Sequence, residues 1–236
     1  MHGDKNIGAV DLDLLGQCVL FSKLQPEPLA GVLQSCRRQT LPAKQVLFHR
    51  GDAGQDMFVI LNGGVKVSTL SSDGKEIIFD VLGPSDFFGE LSLLDGRPRT
   101  GTITTLTSSH FLVMPRTCFF RFLEQSPQSA VALLQVLANR LRQMDAFLED
   151  VLFLDVEARL AKRIMALARI YGRNYGASVH IDLKMSQQEL ANLVGISRES
   201  VNKYFKAWEK ERVIASQQGC IVINQLQVLQ SLAAGQ

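Results

Sequence analysis

The chain has 236 residues, enough for two unequal domains, and 46% of them are hydrophobic against 20% charged, the balance of an ordinary globular protein and not of a disordered one. No apolar run approaches the ~18–20 residues that cross a bilayer, and MHGDKNIGAV lacks the basic flank and apolar core of a secretion signal, so a cytoplasmic protein is expected. The net charge of +2 conceals a split: residues 1–154 hold 14 basic and 16 acidic side chains, net −2, whereas residues 155–236 hold 11 and 7, net +4, so a polyanionic partner is open only for the C-terminal third.

In chain order, short helical patterns cover residues 11–17 and 27–37, the second after Pro26. From about Leu41 to Met114 the sequence then breaks into β-favouring runs separated by turn residues: VLFHRGDAG, MFVILNGG, VKVSTLSSDG, KEIIFDVLG and TITTLTSSHFLVM. Many short strands at even spacing predict a barrel or jelly roll. Asn62-Gly63-Gly64 and Ser72-Asp73-Gly74 supply glycine where hairpin turns need positive φ.

Pro127 begins a long helix in which Leu134, Leu137, Leu141, Met144, Leu148 and Val151 recur at spacings of 3, 4, 3, 4 and 3, the a and d positions of a heptad seam. Such a helix can be buried on its own domain. Leu133, Val136 and Phe147 offer a second apolar face for that purpose, which leaves the seam for a homodimer. Past Leu154 the strand rhythm gives way to helical periodicity, beginning with LAKRIMALARIYG. The expected domains are residues 1–126 for the β-rich part, 127–154 for the long helix and hinge, and 155–236 for a helical domain.

Residues 186–212, SQQELANLVGISRESVNKYFKAWEKER, carry the spacing of a helix-turn-helix. Ala191 is the small residue where the helices cross, Gly195 tolerates left-handed backbone at the turn, and Val201 is the buried aliphatic of the second helix. Leu190, Val194, Ile196 and Phe205 fill the space between the helices, and Ser197 is the N-cap. Arg198, Glu199, Asn202, Lys203 and Lys206 then share one face, its first members at the end that enters a major groove. An arbitrary solvated face would also carry lysines and glutamates. Against DNA, Ser197 and Lys206 suit phosphates, Arg198 and Lys203 suit guanine O6 and N7, and Glu199 suits cytosine N4, with Ser186, Gln187 and Asn202 as further DNA-binding residues. GCIVI after Gln217-Gln218 reads as a hairpin strand, which makes the domain winged.

Within the β region, Gly89, Glu90 and Leu91 precede Arg99-Thr100. Backbone N–H groups, a guanidinium and a hydroxyl can together hold one anion. An ion pair between Arg99 and Glu90 would account for both residues without a ligand. Cys18, Cys36, Cys118 and Cys220 are too scattered for a disulfide framework, and the chain shows no P-loop, HExxH or GxSxG, so it is expected not to be an enzyme.

Gly51-Asp52, Gly63-Gly64, Ser85 to Leu91, Arg99-Thr100, Phe153 to Val156 with Arg159, and Ser186 to Val201 together resemble the cAMP receptor protein / fumarate-nitrate reduction regulator (CRP/FNR) family of bacterial transcription regulators, over about Leu14 to Ile223. The resemblance implies an α+β fold: an N-terminal cyclic-nucleotide-binding β jelly roll, a long dimerisation helix, a hinge at Phe153 to Val156 and a C-terminal winged helix-turn-helix on a palindromic, TGTGA-like operator. It implies that Glu90 accepts from a ribose 2′-hydroxyl, that Arg99 pairs with the cyclic phosphate, and that Thr100 with the Gly89 and Leu91 backbone completes the cradle. Met144 and Asp145 stand where cAMP-binding members place two small polar residues that reach adenine. Met144 suits the seam, and Asp145 can accept from the amine of either purine, so cAMP, cGMP and cyclic di-GMP stay open as effectors. RNA polymerase is a further partner if the protein activates. A haem or gas effector would need an axial ligand, and His2, His49, His110 and His180 match no family position; an iron–sulfur cluster would need close-set cysteines. A vestigial pocket and a regulatory subunit of an enzyme are the other readings.

Overall fold

The computed structural model describes residues 15–22 and 31–235. Of the two N-terminal helical patterns, residues 15–17 and 31–34 are helical, and the remainder of residues 11–14 and 27–30 lies outside the described residues. The second pattern ends before Arg37, which instead begins the first strand.

The β-rich part contains β1 (Arg37–Leu41), β2 (Val46–Phe48), β3 (Asp56–Asn62), β4 (Val65–Leu70), β5 (Glu76–Leu82), β6 (Phe87–Phe88), β7 (Thr102–Thr105) and β8 (Ser109–Pro115). They form two four-stranded sheets, ordered β1-β8-β3-β6 and β2-β7-β4-β5. β3 lies antiparallel to β8, with Met57 opposite Met114 and Val59 opposite Leu112. Alternate residues of these strands serve two cores: Phe58, Ile60, Phe111 and Val113 pack between the sheets, while Met57, Val59, Leu61, Leu112 and Met114 pack with Leu15, Phe21, Phe119, Phe122 and Leu133. Both faces are therefore buried, which is why MFVIL and FLVM read as continuous apolar runs. Gly63 has φ 89°, and a Cβ there would lie 2.5 Å from the Ser108 carbonyl.

Helices α1 (Glu90–Asp95), α2 (Arg116–Gln125) and α3 (Pro127–Phe153) follow. Among the described residues the chain divides into two compact units, one comprising residues through Val67 and Leu82–Arg142, the other Ser68–Val81 and residues from Gln143 onward.

The second unit contains α4 (Val156–Tyr171), β9 (Gly172–Tyr175), β10 (Ser178–Ile181), α5 (Gln187–Val194), α6 (Arg198–Lys210), β11 (Ile214–Gln217), β12 (Cys220–Ile223) and α7 (Leu226–Ala233). The helix break at Leu154 and Asp155 coincides with the N-cap of α4, where the Asp155 side chain accepts from the Ala158 N–H. The sheet is ordered β11-β12-β10-β9. Its β9–β10 hairpin corrects the expectation that strands end at Leu154: Arg173 to Ile181 alternates too briefly to stand out beside the long apolar period of α4. The β11–β12 turn places Gln218 and Gly219 at φ 52° and 84°, the pair of positive values a two-residue hairpin turn demands.

Candidate effector pocket and nucleic-acid interface

In the first unit, β6 delivers the chain to Gly89, which caps α1 at φ 86°. Glu90 follows as the first helical residue and is 1% exposed. Arg99 is 6% exposed and is held on the other side of the cradle by strand-like backbone bonds, Arg99 N–H to the Asp52 carbonyl and Gly51 N–H to the Arg99 carbonyl. Its guanidinium donates to the Gly89 carbonyl at 2.8 Å and the Asp56 carbonyl at 2.7 Å, and lies 4.3 Å from the centroid of Phe48. Burial pulls the Arg99 guanidinium below its ordinary value, opposed by Asp56, Glu90 and Asp52. Gly54 leaves room for it: a Cβ there would lie 2.7 Å from Arg99 Cζ.

The ion pair between Arg99 and Glu90 does not form. Glu90 instead accepts from Arg140 on α3, Nη1 to Oε1 at 2.6 Å, while Arg140 also donates to the Phe87 carbonyl at 2.5 Å and stands 5.1 Å from the Phe87 ring. Asp86 lies beside this pair; burial raises its carboxyl above the usual range, against the Gly83 N–H and Arg140. Arg140 was not singled out in the sequence. The signal was there, because it falls seven residues after Leu133 and four after Val136, on the inward face of α3, where a charge needs a buried partner.

Two buried polar atoms of the cradle have no protein partner: Glu90 Oε2, an acceptor, and Arg99 Nε, a donor. Such atoms are costly unless a ligand satisfies them. A hydroxyl can donate to the first and a phosphate oxygen accept from the second, so the residues fit a sugar phosphate. Gly89, Glu90, Leu91, Arg99 and Thr100 gather in this one unit, with Leu91 and Thr100 exposed. Met144 and Asp145 belong to the other unit and are exposed on α3.

On that helix Leu134, Leu141, Met144, Leu148 and Val151 are 65%, 62%, 63%, 59% and 43% exposed. Leu137 departs from the expected seam: it is half-buried against the first unit's core, together with Val136.

In the second unit α5 begins with a capping box, Glu189 N–H to Ser186 Oγ at 3.2 Å and Ser186 N–H to Glu189 Oε2 at 2.9 Å, and ends at Gly195 with φ 73°. Ser197 caps α6 by accepting from the Ser200 N–H at 3.1 Å. Ala191 and Val201 are fully buried between the helices, with Leu190, Val194 and Phe205 almost so. Ser186, Ser197, Arg198, Glu199, Lys203 and Lys206 are exposed, and Gln187 and Asn202 half-exposed. The Glu199 carboxyl is held below its usual range by its own N–H, the Ser197 hydroxyl and the Arg198 charge. It meets any partner ionised and demands a donor. Trp208, buried on the other side of α6, donates to Glu157 at 2.8 Å.

Of the four histidines, His2 lies outside the described residues, His110 Nδ1 is 3.0 Å from Thr40 Oγ1, the His49 backbone N–H donates to Asp52, and the His180 ring lies tilted against Tyr175 with centroids 4.6 Å apart. Cys18, Cys36, Cys118 and Cys220 are free thiols. Among the described residues no helix is long and apolar enough to cross a membrane.

Comparison with known proteins gives two matched regions. Residues 38–126 match the cyclic nucleotide-binding domain family and residues 158–232 the Crp-like helix-turn-helix domain family. Over 191 residues the chain is 35% identical to the CRP-like cAMP-activated global transcriptional regulator of Mycobacterium tuberculosis, covering 81% of this chain and 85% of that one. The chain belongs to the CRP/FNR family. The crystal structure of the Thermus thermophilus catabolite activator protein is 28% identical, with a TM-score of 0.53 over 92% of this chain and 99% of that one. The c-di-GMP responsive global regulator CLP of Xanthomonas campestris shares the fold, with a TM-score of 0.72 at 21% identity, over 84% of this chain and 99% of that one. As a CRP/FNR member the chain is a DNA-binding transcription regulator under effector control, from a family of regulators and not of enzymes.

Proposed function

We propose that this regulator is a cytoplasmic homodimer that binds a two-fold symmetric, TGTGA-like operator, and that a cyclic purine nucleotide seated on Glu90 and Arg99 controls its affinity. The observation that carries the effector assignment is the pair of buried unsatisfied atoms, Glu90 Oε2 and Arg99 Nε, whose donor and acceptor needs are those of a ribose hydroxyl and its cyclic phosphate. cAMP is the first candidate, because a relative with 35% identity is named cAMP-activated. The dimer rests on the exposed stripe of Leu134, Leu141, Met144, Leu148 and Val151, a heptad surface that water solvates poorly. In this reading Met144 is assigned to the seam and Asp145 to choice of the base, residues 1–126 sense, residues 127–154 join the two copies and residues 155–236 read DNA. Arg198, Glu199 and Lys203 supply base contacts and Ser186, Gln187, Ser197, Asn202 and Lys206 supply backbone or flanking contacts.

The mechanism is a population shift. Ligand contacts at Glu90 reach α3 through Arg140 and favour the arrangement that sets two recognition helices one DNA turn apart. Calorimetry with cAMP, cGMP and cyclic di-GMP, run beside anisotropy on a TGTGA palindrome, tests it. One nucleotide should bind wild type, tighten operator binding, and be lost in Arg99→Ala. Binding unchanged in Arg99→Ala would refute the pocket. A Leu141→Lys variant should sediment as a monomer.

A further inference from the structure

The β4–β5 hairpin tip, Ser68–Val81, lies in the same compact unit as the helix-turn-helix. There Asn192 on α5 donates Nδ2 to Glu76 Oε2 on β5 at 2.9 Å, while Gln188, one turn nearer the start of α5, donates Nε2 to Asn192 Oδ1 at 2.8 Å. Asparagine inside a helix is unfavourable because its amide competes with the backbone; here both ends of the amide are engaged by side chains. The hairpin meets the unit with one face. Ile78 is 1% exposed between half-buried Glu76 and Asp80, while Ile77 and Phe79 on the other face are 41% and 48% exposed. Burial pulls the Arg163 guanidinium on α4 below its ordinary value, opposed by Asp150 and, from the same strand as Glu76, by Asp80.

We propose that Glu76 and Asn192 form an autoinhibitory latch, in which the hairpin holds the helix-turn-helix and opposes its engagement with DNA. Residues 71–80 carry Asp73, Glu76 and Asp80 against Lys75 alone. Glu76 stands two successive hydrogen bonds from Gln188 in the first turn of α5, within about a Debye length of it, and Gln188 adjoins Ser186 and Gln187, the proposed DNA contacts, so a carboxylate held there repels bound DNA. β5 runs directly into residues 83–86 and then the Glu90 cradle, so the strand that carries the latch is also the strand that feeds the effector site. This rests on the DNA-binding reading above.

The test measures operator affinity of the full-length protein by anisotropy for wild type, Glu76→Ala, Asn192→Ala and Glu76→Gln, with hydrogen exchange of the hairpin amides on the same samples. Glu76→Ala and Asn192→Ala should each bind about threefold to tenfold tighter, the range one side-chain hydrogen bond supports, and Glu76→Gln, which keeps an acceptor for Asn192 but loses the charge, should fall between wild type and Glu76→Ala. Exchange at residues 76–80 should quicken in Asn192→Ala. Affinity unchanged or weakened in Asn192→Ala overturns the latch, and so does tightening in Glu76→Ala alone, which would be charge without contact. If wild type bound no duplex, the DNA-binding reading would fail separately, and unaltered hairpin exchange in Asn192→Ala would still overturn the latch on its own.

Discussion

Arg140 and Glu90, fifty residues apart in sequence, meet at 2.6 Å with the carboxylate side chain 2% exposed and the guanidinium side chain 29% exposed. The long helix and the nucleotide cradle thus share one buried charge pair. Removing one partner strands the other charge away from water, which costs more than the pair contributes. Arg140→Ala should therefore lose about 2 kcal/mol, discounted for the partial exposure of the arginine, read as a lower urea midpoint at unchanged slope. Adding Glu90→Gln should restore much of that loss.

Gly54 is the test of how tightly Arg99 is seated. Its Cβ would fall 2.7 Å from Arg99 Cζ, Arg99 Nε and Ser92 Cβ, and the guanidinium end must give way. Gly54→Ala should weaken cAMP binding by about tenfold or more, the scale on which a charge-assisted contact is lost, with a much smaller effect on melting. Unaltered cAMP affinity measured by calorimetry would mean that Arg99 is not the phosphate ligand.

The thiols divide by burial. Burial pushes Cys18 and Cys36 up to about 12, whereas Cys118 and Cys220 are partly exposed. Native protein at pH 8 should release chromophore from Ellman's reagent at Cys118 and Cys220 and react at Cys18 and Cys36 only after denaturation. Because the two folded values are raised, the stability they contribute is complete below the unfolded thiol value of about 8.5 and is lost as pH climbs towards 12. Melting temperature should fall across that alkaline window, and less steeply in Cys18→Ala.

At the recognition helix, Arg198→Ala should cost about 1–3 kcal/mol on the palindrome and relax choice at one base pair. Glu199→Ala should lose discrimination with little loss of total affinity, since it removes a carboxylate from a phosphate surface. Lys206→Ala should weaken all sequences alike and lower the salt dependence of binding by about one ion. Competition titrations with single-base variants of the palindrome separate the three.

The local devices were legible in the sequence because each depends on residues a few positions apart. Gly195 at the helix turn, Ser197 as a cap, Ala191 and Val201 at the helix crossing and the glycines of the β turns are all dictated by short-range backbone geometry, and the structure places them so. The alternation that sends Phe58 and Met57 to opposite cores is likewise a property of the strand itself. Tertiary structure alone decided which charges pair. Arg99 and Glu90, nine residues apart, looked like partners; the fold turned Arg99 onto the Gly89 and Asp56 carbonyls and brought Arg140 to Glu90. It also turned Leu137 into its own domain while leaving its heptad neighbours exposed, and set Glu76 against Asn192, 116 positions away. The physical reason is common to all three. Capping and periodicity act within a few residues of chain, whereas desolvation and charge pairing depend on what else occupies the same few ångströms, which only the folded chain fixes.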